Sequence, residues 1–291
     1  MKTIFIAVDF STTSYNAVRY GIELAKLLNA KLVLFHVFHT AVSIPEAYAV
    51  VSSDELKSTA ESELKKMYHE LKGDASLKMD TLAVEGNVAK MILTYAEKYD
   101  ECLIVCGLRK SGQMIQKLFG NTITELMNLS QIPIMVIPES LEFKKINTMV
   151  FATDLSLETD IHSLSPLLTI GEINHSTLTV LRVMSTDLSV IEEINYRSER
   201  LSRYLQLLTP KFEFIKSDEI ARSIDQFVDE HDVDLLSLMP RHHSFFEKIF
   251  ISSEARKLLF ITDVPLLLLP EFKIKILPQD KNRKYNRVES A

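Results

Sequence analysis

The sequence predicts an α/β protein made of two tandem doubly wound units, each a five-stranded parallel sheet flanked by helices and related to the other by a pseudo-twofold axis. Short runs rich in Ile, Val and Leu alternate with segments of helical period, the pattern of parallel strands joined by right-handed helical crossovers. The first run, TIFIAVDFS at Thr3 to Ser11, returns as TMVFATDLS at Thr148 to Ser156 with its Ala-x-Asp-x-Ser frame kept. Further on, GNVAKMI from Gly86 is echoed by DEIARSI from Asp218, and SQIPIMVIPE from Ser130 by TDVPLLLLPE from Thr262. The landmarks keep their order. Their offset falls from 145 residues at Thr3 and Thr148 to 132 at Gly86 and Asp218, so the first copy carries an insertion of 13 residues, placed in the segment Thr40 to Ser53.

In the first copy the apolar runs predict strands near Thr3–Val8, Lys31–Val37, Leu77–Val84, Leu103–Cys106 and Ile132–Ile137. Helices fill the gaps. Ser11 can cap the first, Ser52 with Glu55 makes a capping-box pattern for the second, and Asn87 can cap a third ahead of Ala89, Ile92 and Ala96. The second copy repeats this with strands near Thr148–Thr153, Leu178–Val183, Phe212–Lys216, Leu235–Met239 and Leu266–Leu269. The chain thus divides into domains at 1–140 and 146–271 and a basic tail at 272–291. Glu139 to Lys145 forms a charged link too short to let the halves wander far.

Composition narrows the function classes. Hydrophobic residues make up 46% and charged residues 25% of the chain, as expected of a globular protein that buries a core. A formal charge of −6 argues against a general nucleic-acid or anionic-membrane binder, which needs a basic excess to release counterions. The tail, with Lys273, Lys275, Lys281, Arg283, Lys284 and Arg287, is a local exception that reads as a solvated segment. Asp9 ends the first apolar run too early for a secretory signal, and no window approaches the ~18 apolar residues of a membrane span. A cytoplasmic protein is expected. Cys102 and Cys106 sit four positions apart on one strand, about 13 Å at the usual rise, so they cannot bridge and read as buried apolar thiols.

At these residues the sequence resembles the universal stress protein family, in a tandem form with two such domains. The marks are the strand end AVDFS, FHV at Phe35 to Val37, VEGN at Val84 to Asn87, and the loop from Gly107 to Asn121 followed by IPIMVIP. The resemblance covers nearly everything except the tail. It implies the adenine-nucleotide alpha-hydrolase-like sheet of order 3-2-1-4-5, in which strands 1 and 4 are neighbours whose crossovers leave on opposite sides and open a crevice at their C-terminal ends. For family members that bind ATP it implies a loop G-x2-G-x9-G-[S/T] after strand 4, facing an Asp at the end of strand 1.

Three of the chain's seven glycines, Gly107, Gly112 and Gly120, fall in that loop. Gly107 matches the first glycine and Gly120 the third, with the spacing kept, but the second position is Lys110 and the hydroxyl position is Asn121. Glycines allow backbone to approach phosphates, and the last pair would open a helix whose free N–H groups favour an anion. Lys110 either crowds that approach or replaces a lost contact with a charge-assisted one. On the nucleoside side, Asp9 and the backbone of Ala7, Val8 and Val37 match the family's adenine and ribose contacts, and Thr122 follows Asn121 on the phosphate side. A P-loop is excluded: Gly107 and Gly112 have its spacing, but Gln113 and Met114 replace its Lys and Ser/Thr.

In the second copy the positions of Gly107, Lys110, Gly120 and Asn121 are Met239, His242, Ser252 and Ser253, so no nucleotide is expected there although Asp154 persists. RHHSFFEKIF from Arg241 reads as a basic surface loop whose phenylalanines pack down; adjacent histidines face different ways and lack a third ligand, so no metal is expected. No nucleophile elbow and no HExxH motif is present, and no catalytic residue is assigned. The expected function is a non-catalytic stress-response protein, a homodimer binding ATP weakly in the first domain only. The alternative is a nucleotide-free module for dimerisation and partner docking.

Overall fold

The computed structural model describes residues 1–39, 52–73, 77–109, 119–155, 161–184, 191–239 and 262–270 of the chain. Most of the Thr40–Ser53 insertion, Lys110, Gly112, the Arg241–Phe250 loop and the basic tail lie outside them.

In the first half the elements alternate as β1 (Thr3–Val8), α1 (Thr12–Leu28), β2 (Lys31–Phe38), α2 (Ser53–Leu71), β3 (Met79–Glu85), α3 (Val88–Ala96), β4 (Cys102–Leu108), α4 (Phe119–Leu129) and β5 (Ile134–Pro138). The three sequence-read caps form. Ser11 Oγ accepts from Ser14 N–H, Asn87 Oδ1 accepts from Lys90 N–H, and Ser52 and Glu55 make a reciprocal capping box. Gly86, at φ 144°, turns the chain from β3 into α3 through a region that side chains other than glycine's rarely enter.

The second half follows with β6 (Thr148–Ala152), a 3₁₀ turn at Ile161–Leu164, α5 (Ser165–Asn174), β7 (Thr177–Met184), α6 (Ile191–Tyr204), β8 (Lys211–Lys216), α7 (Ile220–Glu230), β9 (Leu235–Leu238) and β10 (Leu266–Leu268). Strand order across the sheet is β3-β2-β1-β4-β5-β10-β9-β6-β7-β8. Each half therefore has the expected 3-2-1-4-5 order. The two halves meet at their last strands: β5 and β10 pair antiparallel, Ile134 with Leu268, Met135 with Leu267 and Val136 with Leu266, so the two five-stranded sheets continue as one ten-stranded sheet. Both strands are apolar on both faces, and leaving either as an edge would expose unpaired N–H and C=O groups beside those side chains.

Side chains alternate along each strand and feed two cores. Ile4, Ile6, Leu32 and Leu34 pack with the buried residues of α1 and α2, and Phe5, Val33 and Phe35 with those of α3 and α4. Both cores continue through β5 and β10 into the second half. The linker is docked rather than loose. Asn16 Nδ2 donates to the carbonyls of Pro138 and Leu141, Phe143 packs edge-on against Tyr20, and Lys144 Nζ lies 2.7 Å from Asp234 Oδ1. Asp234 Oδ2 also accepts from the N–H groups of Asn147 and Thr148 at the entry to β6.

Candidate functional site

At the C-terminal ends of β1 and β4, where α1 leaves on one side of the sheet and α4 on the other, lies a cavity of about 210 Å³. That is far more than one water needs. Its apolar wall comes from Phe35, Val37, Val88, Ile92, Cys106 and Ile123, all on the α3 and α4 side. The polar rim comes from Asp9 and from Ser11, Thr13 and Ser14 at the start of α1, with Gly107 and Thr122 opposite.

Local backbone geometry opens this space. Phe10 takes a left-handed conformation (φ 61°), bending the chain out of the sheet directly after Asp9, and Leu155 does the same (φ 58°) after Asp154 in the second half. The β1–β2 ladder ends with Val8 opposite His36, while β2 runs on to Phe38. Phe38 turns its carbonyl to β3, where it accepts from Gly86 N–H, so alternation turns the Val37 carbonyl toward the crevice, past its last β1 partner. His36 fastens this edge: its Nδ1 lies 2.7 Å from the Val8 carbonyl and so carries the proton, and its ring packs against Phe10 in a tilted contact with centroids 4.4 Å apart. Burial lowers the His36 pKa despite the Val8 contact, so the ring is neutral at pH 7.

Asp9 stands at the mouth, exposed on its outer side. Partial desolvation disfavours its charge, but hydrogen bonds from Ser11 Oγ (2.5 Å) and Ser11 N–H (3.0 Å), together with Ser14, hold its carboxyl below the usual carboxylate range. Cys106 is the reverse case. Burial, with the charge of Asp9 adding to it, pushes its thiol up to about 12, so it presents an inert, apolar surface to the cavity. Cys102 is likewise a free, buried thiol.

Of the nine residues singled out in the sequence, Ala7, Val8, Asp9, Val37, Gly107 and Thr122 line this one cavity. Gly120 and Asn121 lie in the first turn of α4, immediately before Thr122. Because α4 starts at Phe119, Asn121 is inside the helix and is not its cap. Lys110 lies outside the described residues. Gly107 is part of β4 rather than of the loop beyond it, and its lack of a side chain has a packing cause: a Cβ there would stand 2.7 Å from the Thr13 carbonyl oxygen and 2.8 Å from Thr13 Cγ2. Met239 takes that position in the second half, where it is buried in the core. Phe35, Val88, Ile92, Cys106, Ile123, Ser11, Thr13 and Ser14 complete the lining and were not singled out as site residues. Phe35 was within reach of sequence reasoning, since it lies two positions from Val37 on a strand of period two, whereas Cys106 alternates with Gly107 and faces the other side of the sheet.

Among the described residues no group of three or more His, Cys, Asp or Glu side chains could hold a metal ion, and no helix is long and apolar enough to cross a membrane.

Residues 1–138 match the model of the Universal stress protein family. Universal stress protein A of Escherichia coli is 26% identical over 138 residues, covering 47% of this chain and 94% of its own, and Universal stress protein A of Salmonella typhi matches to the same extent. The crystal structure of a universal stress protein from Archaeoglobus fulgidus superposes on 92% of this chain and 98% of its own with a TM-score of 0.72 at 15% identity, a likeness of fold that takes in both halves. With a matching family model, the 3-2-1-4-5 strand order and the AVDFS, FHV and VEGN segments in place, the first half of this chain is a domain of the universal stress protein family.

Proposed function

We propose that this is a cytoplasmic, non-catalytic stress-response protein whose first domain, 1–140, binds an adenine nucleotide in the β1/β4 cleft, and whose second domain, 146–271, is of the same type and binds none. The observation that carries this reading is the convergence of Ala7, Val8, Asp9, Val37, Gly107 and Thr122 on one cavity at the switch point of the sheet. Its chemistry suits a nucleoside: an apolar slot for a base, a strand carbonyl at Val37, and an ionised Asp9 that can accept from hydroxyls. In the second half, Leu238 and Met239 stand at the positions of Cys106 and Gly107, both buried, and would fill the corresponding slot. Residues 272–291 are assigned to neither domain and carry a run of basic side chains in the sequence.

Calorimetry with ATP tests the reading. Two of four signature positions have changed, each lost hydrogen bond to a charged group costing about 1.5–3 kcal/mol, so a dissociation constant of roughly 10 μM to 1 mM is expected, with no more than one molecule per chain. Gly120→Asp abolishes binding by placing a carboxylate in the phosphate space, and Ser252→Asp in the second half changes nothing. A second reading, a nucleotide-free docking module, is favoured by one observation: Gly107 is required by Thr13 whether or not a phosphate ever approaches it. No heat or shift with the parent protein at millimolar ATP would establish that reading instead.

A further inference from the structure

Among the described residues β8 pairs with β7 alone and stands last in the strand order. Ser217 N–H donates to the carbonyl of Met184, the register partner of Lys216. Because alternate residues of a parallel ladder turn both backbone groups to one neighbour, Lys211, Glu213 and Ile215 face β7, whereas Phe212, Phe214 and Lys216 turn N–H and C=O outward. Phe214 is 45% exposed, between exposed Lys211, Glu213 and Lys216. The edge at the other end, β3, is the same strand of the first repeat and carries no exposed large apolar side chain. An edge that keeps outward-facing donors and acceptors beside an exposed ring is a template for another strand. We infer that β8 is an interface between two copies of this chain, paired antiparallel about a twofold axis that passes through Phe214.

The strand KFEFIK is complementary to itself in one register. Opposed residues of an antiparallel pair share a face, so a twofold axis sets even positions against even and odd against odd. Centred on Phe214, it places Phe214 against Phe214 of the second copy and Phe212 against Lys216, all of them residues whose backbone groups point outward. The two rings then meet at the axis, and each Lys216 ammonium lies beside a Phe212 ring. On the other face Glu213 meets Ile215, and no like charges are opposed. The neighbouring registers are worse. Centring on Glu213 sets two carboxylates face to face and Lys216 against Pro210, which has no N–H; centring on Phe212 sets Phe214 against Pro210; centring on Ile215 runs Phe212 past the strand end at Lys216. Each Phe214 has roughly 70–110 Å² left to bury, and one strand edge falls short of the ~1,200 Å² of a standard interface, so the dimer is weak and reversible.

The test is sedimentation velocity on the full chain from about 5 to 500 μM, where a monomer–dimer equilibrium with a dissociation constant on the order of tens of micromolar is expected. Phe214→Lys, an exposed position, sets two ammonium groups against each other and should weaken the dimer at least about tenfold, while Glu213→Gln should change it by less than about threefold. Phe214→Cys should form a covalent dimer when diamide is added, since opposed Cα atoms about 5.5 Å apart are within disulfide reach and Cys102 and Cys106 are buried. Lys211→Cys should not, because its counterpart would lie about 20 Å away. A chain that stays monomeric throughout, or a dimer that survives Phe214→Lys, overturns the inference. Cross-linking of Lys211→Cys as readily as Phe214→Cys, or a tenfold tighter dimer with Glu213→Gln, overturns the register.

Discussion

Met135 of β5 and Leu267 of β10 lie opposite each other in an antiparallel ladder, both with no exposed surface, at the point where the two halves become one sheet. Burying each such side chain contributes roughly 1.5–3 kcal/mol, and the two strands bury at least six of them. Residues 1–140 expressed alone would leave β5 as an apolar edge. They are expected to dimerise or precipitate, as light scattering would show; a monomer at high concentration would mean the pairing is dispensable. A homodimer of the full chain, expected from the sequence, would have to use a surface other than these two strands, since they already cover each other.

Asp234 holds the linker to the second half through Lys144 and the N–H groups of Asn147 and Thr148. Asp234→Asn should cost about 1–3 kcal/mol at pH 7, measured by urea unfolding. Burial opposes the charge, but Lys144 and the two N–H bonds win and depress the folded pKa. The contribution is therefore complete above the unfolded carboxylate value near 3.9 and is lost as pH falls through the lower folded value. Parent and variant should differ by a constant amount from about pH 5 upward and converge in acid. A gap that stays open at low pH would assign the loss to packing.

Gly107→Ala places a methyl 2.7 Å from the Thr13 carbonyl oxygen, a backbone atom that cannot swing away. The first turn of α1 must shift, and a loss of about 1–3 kcal/mol is expected in thermal or urea unfolding. Gly120→Asp, in the first turn of α4, should leave stability within about 0.5 kcal/mol of the parent, because a carboxylate suits a helix N-terminus. Equal stability of Gly107→Ala and the parent would show that α1 and β4 are less tightly apposed than this structure has them.

Lys110→Gly restores the family's second glycine. Calorimetry with ATP reads the role of this side chain, and adenosine, which has no phosphates, is expected to bind parent and variant equally. A tenfold gain for ATP would identify the lysine as an obstruction, and a tenfold loss would identify it as a ligand.

Periodicity and self-similarity made the architecture legible before any coordinates. The repeated Ala-x-Asp-x-Ser frame located β1 and β6, and the caps at Ser11, Ser52 and Asn87 located three helix starts, because each of these is a local consequence of residue type and spacing. Six of nine named site residues converge on one cavity because the family resemblance carried both those residues and the strand order that sets β1 beside β4. What only the tertiary structure decided depends on contacts between segments far apart in the chain. The need for glycine at Gly107 comes from Thr13, the anchoring of the linker from Asp234 and Asn16, and the use of the α1 N-terminus from Asp9 folding back onto Ser11. A sequence motif names the residue type a phosphate loop requires; it cannot say that a neighbouring helix requires the same residue, because that contact exists only once the sheet has brought the two together.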